Sequence, residues 1–395
     1  MHPNVPHLRF PEFHGEWEKC KLGDIAILTK GSGISKDQRS ATGTPCILYG
    51  ELYTTYKSEV IDYVVSKTDI SDKNLVRSCA NDIIIPSSGE TAIDISTARC
   101  VLSPDVLLGG DLNIIRLKDG DGRFFSYQLN GVRKYDIAKI AQGVSVVHLY
   151  GESIKGLTVS FPSNKEQQKI STLLSLIDER IATQSKLIED LKKLRSAIID
   201  YAINSLDTDF AKFGSLYEIA GEGGTPTTSN ANFYDNGKIP FIKIDDLKKK
   251  YLTENKDFIT ELGLQKSSAW LVPTRSILFS NGATIGEITI TTYPVCTKQG
   301  ILGIVPKPNI DVEFLYYFMS SSYFKRAVSR IVTEGTMKTA YLKDINNIRC
   351  PIPTKEKQLD IAKMPSALNS KIDFEQSILK LFDSQKQYLL RQMFI

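Results

Sequence analysis

Residues 165–202 read KEQQKISTLLSLIDERIATQSKLIEDLKKLRSAIIDYA, directly after the stop Phe161-Pro162-Ser163-Asn164. The run contains neither proline nor glycine. With Ile170 at heptad position a, the a series is Ile170, Ile177, Gln184, Leu191 and Ile198. The d series is Leu173, Arg180, Leu187, Leu194 and Tyr201, and Leu174, Ile181 and Ile188 at e widen the stripe. This spacing predicts one helix of about 55 Å with an apolar seam that has to be covered.

Adding 191 to each residue number brings the helix back. Pro162 falls on Pro353, Gln167 on Gln358, Ile170 on Ile361, Ile177 on Leu368, Ile181 on Ile372, Ile188 on Leu379, and the polar Gln184 on Glu375. Upstream, Lys21-Leu22-Gly23 falls on Lys212-Phe213-Gly214. In between the offset drifts by a few residues: Ile83-Ile84-Ile85 matches Ile277-Leu278-Phe279, Gln142-Gly143 matches Glu334-Gly335, and Ile154 matches Ile345. A period this long is not a solenoid repeat. It describes a globular part followed by a long helix, twice, as a fused isologous dimer would. The simplest cover for each stripe is the other helix, antiparallel, with Gln184 and Glu375 fixing register near the pseudo-two-fold axis. The expected seam is Ile170, Leu173, Ile177, Gln184, Leu187, Leu191 and Leu194 against Ile361, Leu368, Ile372, Glu375 and Leu379. Pro365 interrupts the second run, so that helix is expected to begin near Ser366 or to kink there.

The chain has 395 residues, 42% hydrophobic and 24% charged, with formal net charge +4. That is ordinary for a globular protein, and mild basicity permits nucleic-acid binding without arguing for it. No apolar run is long enough for a membrane span, and residues 1–17 lack the apolar region of a signal peptide. The six scattered cysteines form no CxxC pair and read as free thiols of a cytoplasmic protein.

Residues 1–20 read as an arm on the surface or packed on the far end of the chain. From Lys21 to Ser160, short β-branched runs predict strands at 25–28, 46–49, 60–65, 82–85 and 113–117, then a helix over 123–140. The second half repeats this with strands at 241–244, 277–279, 287–290 and 301–305 and a helix over 312–330. Each globular part is therefore α+β. Its loops concentrate Gly, Ser, Thr, Lys and Tyr, types that suit phosphate contact and base-edge hydrogen bonding, and equally suit solvated loops.

Catalytic patterns are missing. There is no GxxxxGK[ST], HExxH or GxSxG, and no Pro-Pro pair for the [DNS]PP[YFW] loop of amino-methyltransferases. Histidines 2, 7, 14 and 148 form no ligand cluster. Pro104-Asp105 has no acidic-x-Lys until Asp190-Leu191-Lys192 inside the helix. Paired polar-loop domains with long helices and no catalytic constellation read as a binding and assembly module.

Several segments resemble type I restriction–modification specificity (S) subunits. They are Gly223-Gly224-Thr225-Pro226, Asn232 to Phe241 (NFYDNGKIPF), Asp245-Asp246-Leu247, Ser87-Ser88-Gly89-Glu90-Thr91, Thr336-Met337-Lys338, the helix entries at Pro162 and Pro353, and Val5 to Phe13 with Gly15-Glu16-Trp17. Gly31 to Lys36 is a weaker version of the GGTP loop. The resemblance covers essentially the whole chain. It implies two pseudo-symmetric α/β target-recognition domains (1–160 with the arm, and 206–350) separated by long antiparallel coiled-coil helices (161–205 and 351–395). It also implies a non-catalytic chain that reads a bipartite, asymmetric duplex DNA target. Two methyltransferase (M) subunits bring S-adenosylmethionine, two restriction (R) subunits bring ATP and Mg, and this chain holds no cofactor or metal. Loop chemistry nominates Lys30, Lys36, Arg39, Tyr53, Lys57, Ser88, Thr91, Ser145 and His148 in the first half. In the second it nominates Thr225, Thr227, Ser229, Lys243, Lys248, Asn281, Thr284 and Lys338. Lys and Arg are expected on phosphates, and Asn, Thr, Ser and Tyr on base edges. The rival readings are a coiled-coil scaffold without DNA contact and an enzyme with an unrecognised site.

Overall fold

The computed structural model describes residues 4–71, 74–282, 284–332 and 338–395. The chain divides into two compact units, one made of residues 1–185 and 377–395, the other of 186–376. Each long helix therefore contributes one half to each unit. The expected matches at Glu334-Gly335 and Thr336-Met337 lie outside the described residues.

In unit one, five strands form a sheet: β1 (Ala26–Lys30), β2 (Val60–Ile61), β3 (Asp82–Pro86), β4 (Arg99–Val101) and β5 (Leu112–Leu117), in the order β1-β5-β3-β4-β2. All neighbours are antiparallel except β4 and β2. Unit two has β6 (Tyr217–Glu222), β7 (Tyr251–Leu252), β8 (Ile277–Ser280), β9 (Ile288–Thr291) and β10 (Ile301–Pro306), in the order β6-β10-β8-β9-β7. Its one parallel pair is again the last. The repeat seen in the residues is thus a repeat of topology. The central strands Asp82–Pro86 and Ile277–Ser280 are buried along their whole length, which is why they read as unbroken apolar runs.

The helix expected over 123–140 is two helices, Gly122–Asn130 and Lys134–Ile140, parted at Gly131. Its counterpart is Val312–Ser320 and Ser322–Ile331, where Ser321 ends the first helix and its hydroxyl caps the second. In both units an aspartate, Asp121 or Asp311, caps the first of these helices.

The first long helix runs Asn164–Asn204 and the second Lys355–Gln392. The second does not wait for Ser366. It continues through Pro365, which is buried on the stripe at the position matching Leu174. A proline there removes one amide donor to the Ile361 carbonyl, and the ring occupies space a leucine fills in the other copy.

The seam is a correction to the heptad reading. The buried or half-buried series on the first helix is Ile170, Ile177, Gln184 and Leu191 with Leu174, Ile181, Ile188 and Arg195, so the second row lies at e rather than d. Leu187 and Leu194 are 41% and 48% exposed, while Leu173 is half-buried. On the second helix Ile361, Leu368 and Leu379 are half-buried and Ile372 and Glu375 buried. The stripe was wide enough for either row, and only the packed neighbours select one.

Within unit one Asp178 meets Lys386, and Ile170 and Leu174 share a core with Leu389, Leu390, Met393 and Phe394. Within unit two Arg195 bonds Asn369, while Tyr201 and Ala202 line a cleft with Lys357 and Ile361. The helix halves therefore run antiparallel in each unit. A glutamine ties helix to sheet domain in both. Gln167 Oε1 accepts the Asp121 amide at 3.0 Å and its Nε2 donates to Pro162 O at 2.8 Å; Gln358 does the same with Asp311 at 2.7 Å and Pro353 at 2.9 Å.

The arm packs on the far end of the chain. The Leu8 amide donates to Gln392 O, Arg9 grips Glu166 through two bonds of 2.8 Å, and Trp17 stacks edge-on to Phe394.

Candidate nucleic-acid interface

In unit one the loop after β1 starts with Gly31, where a Cβ would lie 1.9 Å from the Gly109 carbonyl oxygen. No other residue allows that approach. The loop forms one wall of a groove of about 950 Å³, lined by Lys36, Arg39, Tyr49, Thr54, Thr55 and Asp111 among others. Lys30, Lys36 and Lys57 are exposed. Arg39 is also exposed and lies 3.7 Å from Glu51. The Tyr53 hydroxyl sits beside Gly50 and Gly89, and burial, with Tyr49, Asp94 and Glu90 nearby, pushes it above the usual phenol value. Ser88 and His148, sixty residues apart in sequence, are direct partners in a two-stranded ladder of Ser88–Gly89 with Val147–His148. Ser145 is exposed in the segment leading into that ladder. Thr91 is exposed, yet its hydroxyl is occupied by Asp94 at 2.6 Å.

In unit two Gly223 and Gly224 are as constrained as Gly31. Their Cβ atoms would lie 2.2 Å from Thr297 O and 2.3 Å from Ser268 Oγ. The GGTP loop is braced, since Thr225 Oγ1 accepts the Gln299 amide at 3.3 Å and Pro226 O accepts the Tyr234 hydroxyl. Thr227, Ser229 and Thr284 are exposed. Lys243 and Lys248 line a groove of about 670 Å³ with Lys249, Tyr251 and Lys256, and each pairs with an acid, Asp257 at 2.7 Å and Asp245 at 3.1 Å. Exposed pairs of this kind exchange readily for phosphate. Lys338 lines a second groove of about 530 Å³ with Phe279, Ile285 and Lys325. Asn281 departs from expectation: it is 1% exposed and its amide donates to Ala340 O at 3.3 Å, so it belongs to the fold and not to a base-reading surface.

Sequence reasoning missed Lys325 and Arg195. Lys248 borders both the 670 Å³ groove and a smaller pocket of about 250 Å³; Lys325 borders that pocket and the 530 Å³ groove. The polar face of the helix Ser322–Ile331 was the signal for Lys325. Arg195 was hidden inside a coiled-coil pattern. Among the described residues no group of His, Cys, Asp or Glu could hold a metal ion, and no helix is long and apolar enough to cross a membrane.

The model of the type I restriction modification DNA specificity domain matches residues 14–193 and again 206–381, and the chain belongs to this family, with two copies of its domain. It is 27% identical over 370 residues to the type I restriction enzyme MjaIX specificity subunit of Methanocaldococcus jannaschii, covering 86% of this chain and 83% of that one. It is 23% identical to the putative MjaX specificity subunit of the same organism, covering 98% and 95%. In fold it resembles the crystal structure of the type I restriction-modification S subunit from M. genitalium, with TM-score 0.62, 18% identity and 99% of each chain covered. The chain is the DNA specificity subunit of a type I restriction–modification system.

Proposed function

We propose that each unit reads one half of a bipartite, asymmetric duplex target, and that the length of the two long helices sets the unread gap. The observation that carries this is the doubled domain: two sheets of one topology, each with a Gly-braced loop and a groove in which lysine or arginine side chains stand beside acids. Lys30, Lys36, Arg39, Lys57, Lys243, Lys248 and Lys338 hold phosphates, while Tyr53, Ser88, Ser145, His148, Thr225, Thr227, Ser229 and Thr284 are offered to base edges, and Thr91, tied to Asp94, shapes its loop.

This chain carries no chemistry of its own in the proposal. Methyltransferase subunits supply S-adenosylmethionine and take the flipped adenine, and restriction subunits supply ATP-driven cleavage. Exposed Leu187, Leu194 and Tyr201 in unit two, and Leu381 and Tyr388 in unit one, recur at seven-residue spacing and are offered as the surfaces for partner helices.

Inserting one heptad into both helices tests the reading. About 10 Å is added, and methylation sites should keep their half-sites with a gap about three base pairs longer. Methylation at the original spacing refutes the role of the helices. A gel shift of the chain with its methyltransferase partner separates the reading from a scaffold without DNA contact. Lys248→Ala should weaken all sequences alike, and a change of sequence preference would overturn its phosphate role.

A further inference from the structure

The junction between helix and sheet domain in unit two carries a cation that its counterpart in unit one has neutralised. At the repeat offset, Lys386 corresponds to Arg195 and Asp178 to Asn369. Lys386 is held by the carboxylates of Asp178 and Glu59. Arg195 instead donates to the neutral amide of Asn369, and among the described residues it forms no ion pair. It lines the pocket of about 250 Å³ together with Lys248, Lys325, Tyr316 and Tyr317, and the pocket has one carboxylate, Glu287. Burial pushes Tyr316 up to about 12, with Arg195 acting against it, so its hydroxyl stays protonated at neutral pH. A half-buried guanidinium with donors to spare, two ammonium groups and a phenol in one polar pocket match the donors that a phosphate group needs.

We propose that this pocket binds a phosphate group, and that its ligand is a backbone phosphate of the duplex engaged by unit two. This rests on the specificity-subunit reading, and the same chemistry would also accept a free phosphate. Arg195 lies on a seam helix, so a phosphate held there ties DNA engagement to the helix pair of that unit. The Asn at 369 is what leaves the site open, because an aspartate there would fill it with an internal ion pair.

The test uses the full chain with its methyltransferase partner, duplex DNA at a series of salt concentrations, and calorimetric titration with inorganic phosphate. Asn369→Asp supplies the acid found in unit one. It should lower the slope of log K against log salt by about one, since each neutralised phosphate contributes about 0.9. It should also abolish phosphate binding without lowering the melting temperature. Lys325→Gln, on an exposed position, should reduce both in the same direction. Phosphate binding lost with the DNA slope unchanged establishes the anion site and removes DNA as its ligand. Wild-type slope and wild-type phosphate binding in both variants overturn the proposal while DNA binding itself stands. Absence of any DNA binding by the wild-type complex overturns the specificity reading, and the phosphate titration still decides the pocket.

Discussion

Unit one and unit two share strand order, capping aspartates and the glutamine tie, yet they diverge at their buried polar junctions. Unit one buries Glu59 and Asp178 around Lys386, and the Tyr127 hydroxyl donates to Asp178 at 2.8 Å. At the positions matching Glu59 and Asp178, unit two has Lys250 and Asn369. Lys250 is buried, bonds Tyr317 at 2.9 Å and Ser366 at 3.0 Å, and pairs with Glu313. The scaffold tolerates opposite charges at one position because each unit satisfies its buried groups locally. Burial by itself pulls the Lys386 ammonium down, and Glu59 and Asp178 raise it past its ordinary value. The duplicated units have kept the geometry and exchanged the electrostatics.

The sharpest way to break this comparison is to remove one acid. Asp178→Ala strips Lys386 and Tyr127 of a buried partner and should destabilise unit one by about 3–5 kcal/mol. Asn369→Ala, the matching change, loses a neutral partner and should cost unit two about 1–2 kcal/mol. Hydrogen exchange resolved by residue reads the two units separately, and equal losses would dissolve the contrast.

Pro365→Leu restores the residue found at the matching Leu174. The lost helix bond returns, and unit two should gain about 1–3 kcal/mol, read as a higher denaturant midpoint. A loss would mean that the surroundings have been shaped to the ring. Gln167→Ala and Gln358→Ala probe what the units share. Each leaves a buried aspartate amide without its acceptor and should cost about 1–3 kcal/mol, with the two values close to one another.

The smallest effect is a pH limb common to both units. Burial is the largest cause of upward shifts at Cys100 and Tyr56, to about 12, and at Cys296 and Tyr317, to about 11 and about 12. A folded value above the unfolded one means that the folded state keeps protons the unfolded chain releases. Stability is therefore full below the ordinary values of 9.0 for the thiols and 10.0 for the phenols, and falls as pH climbs through them. Thermal melts should hold level up to about pH 8.5 and decline beyond it.

Gly31, Gly223 and Gly224 were legible as loop markers, and the structure shows the backbone contacts that require glycine at each. Short strands were harder. The run 60–65 pairs only over Val60–Ile61, and Arg99–Val101 and Tyr251–Leu252 carry too little local pattern to read. Strand ends depend on which neighbour supplies the ladder, and that neighbour is distant in the chain. The pairing of Ser88 with His148 and the burial of Asn281 are of the same kind.

The amino-acid sequence by itself determined the duplication, the existence of both long helices, and the family, because these rest on periodicity and fixed spacing within the chain. Only the tertiary structure decided which row of the stripe faces inward, how Pro365 is accommodated, and which of the polar loop residues reach solvent. Those outcomes depend on packing against distant residues, where a wide apolar stripe or a polar side chain has more than one satisfactory partner.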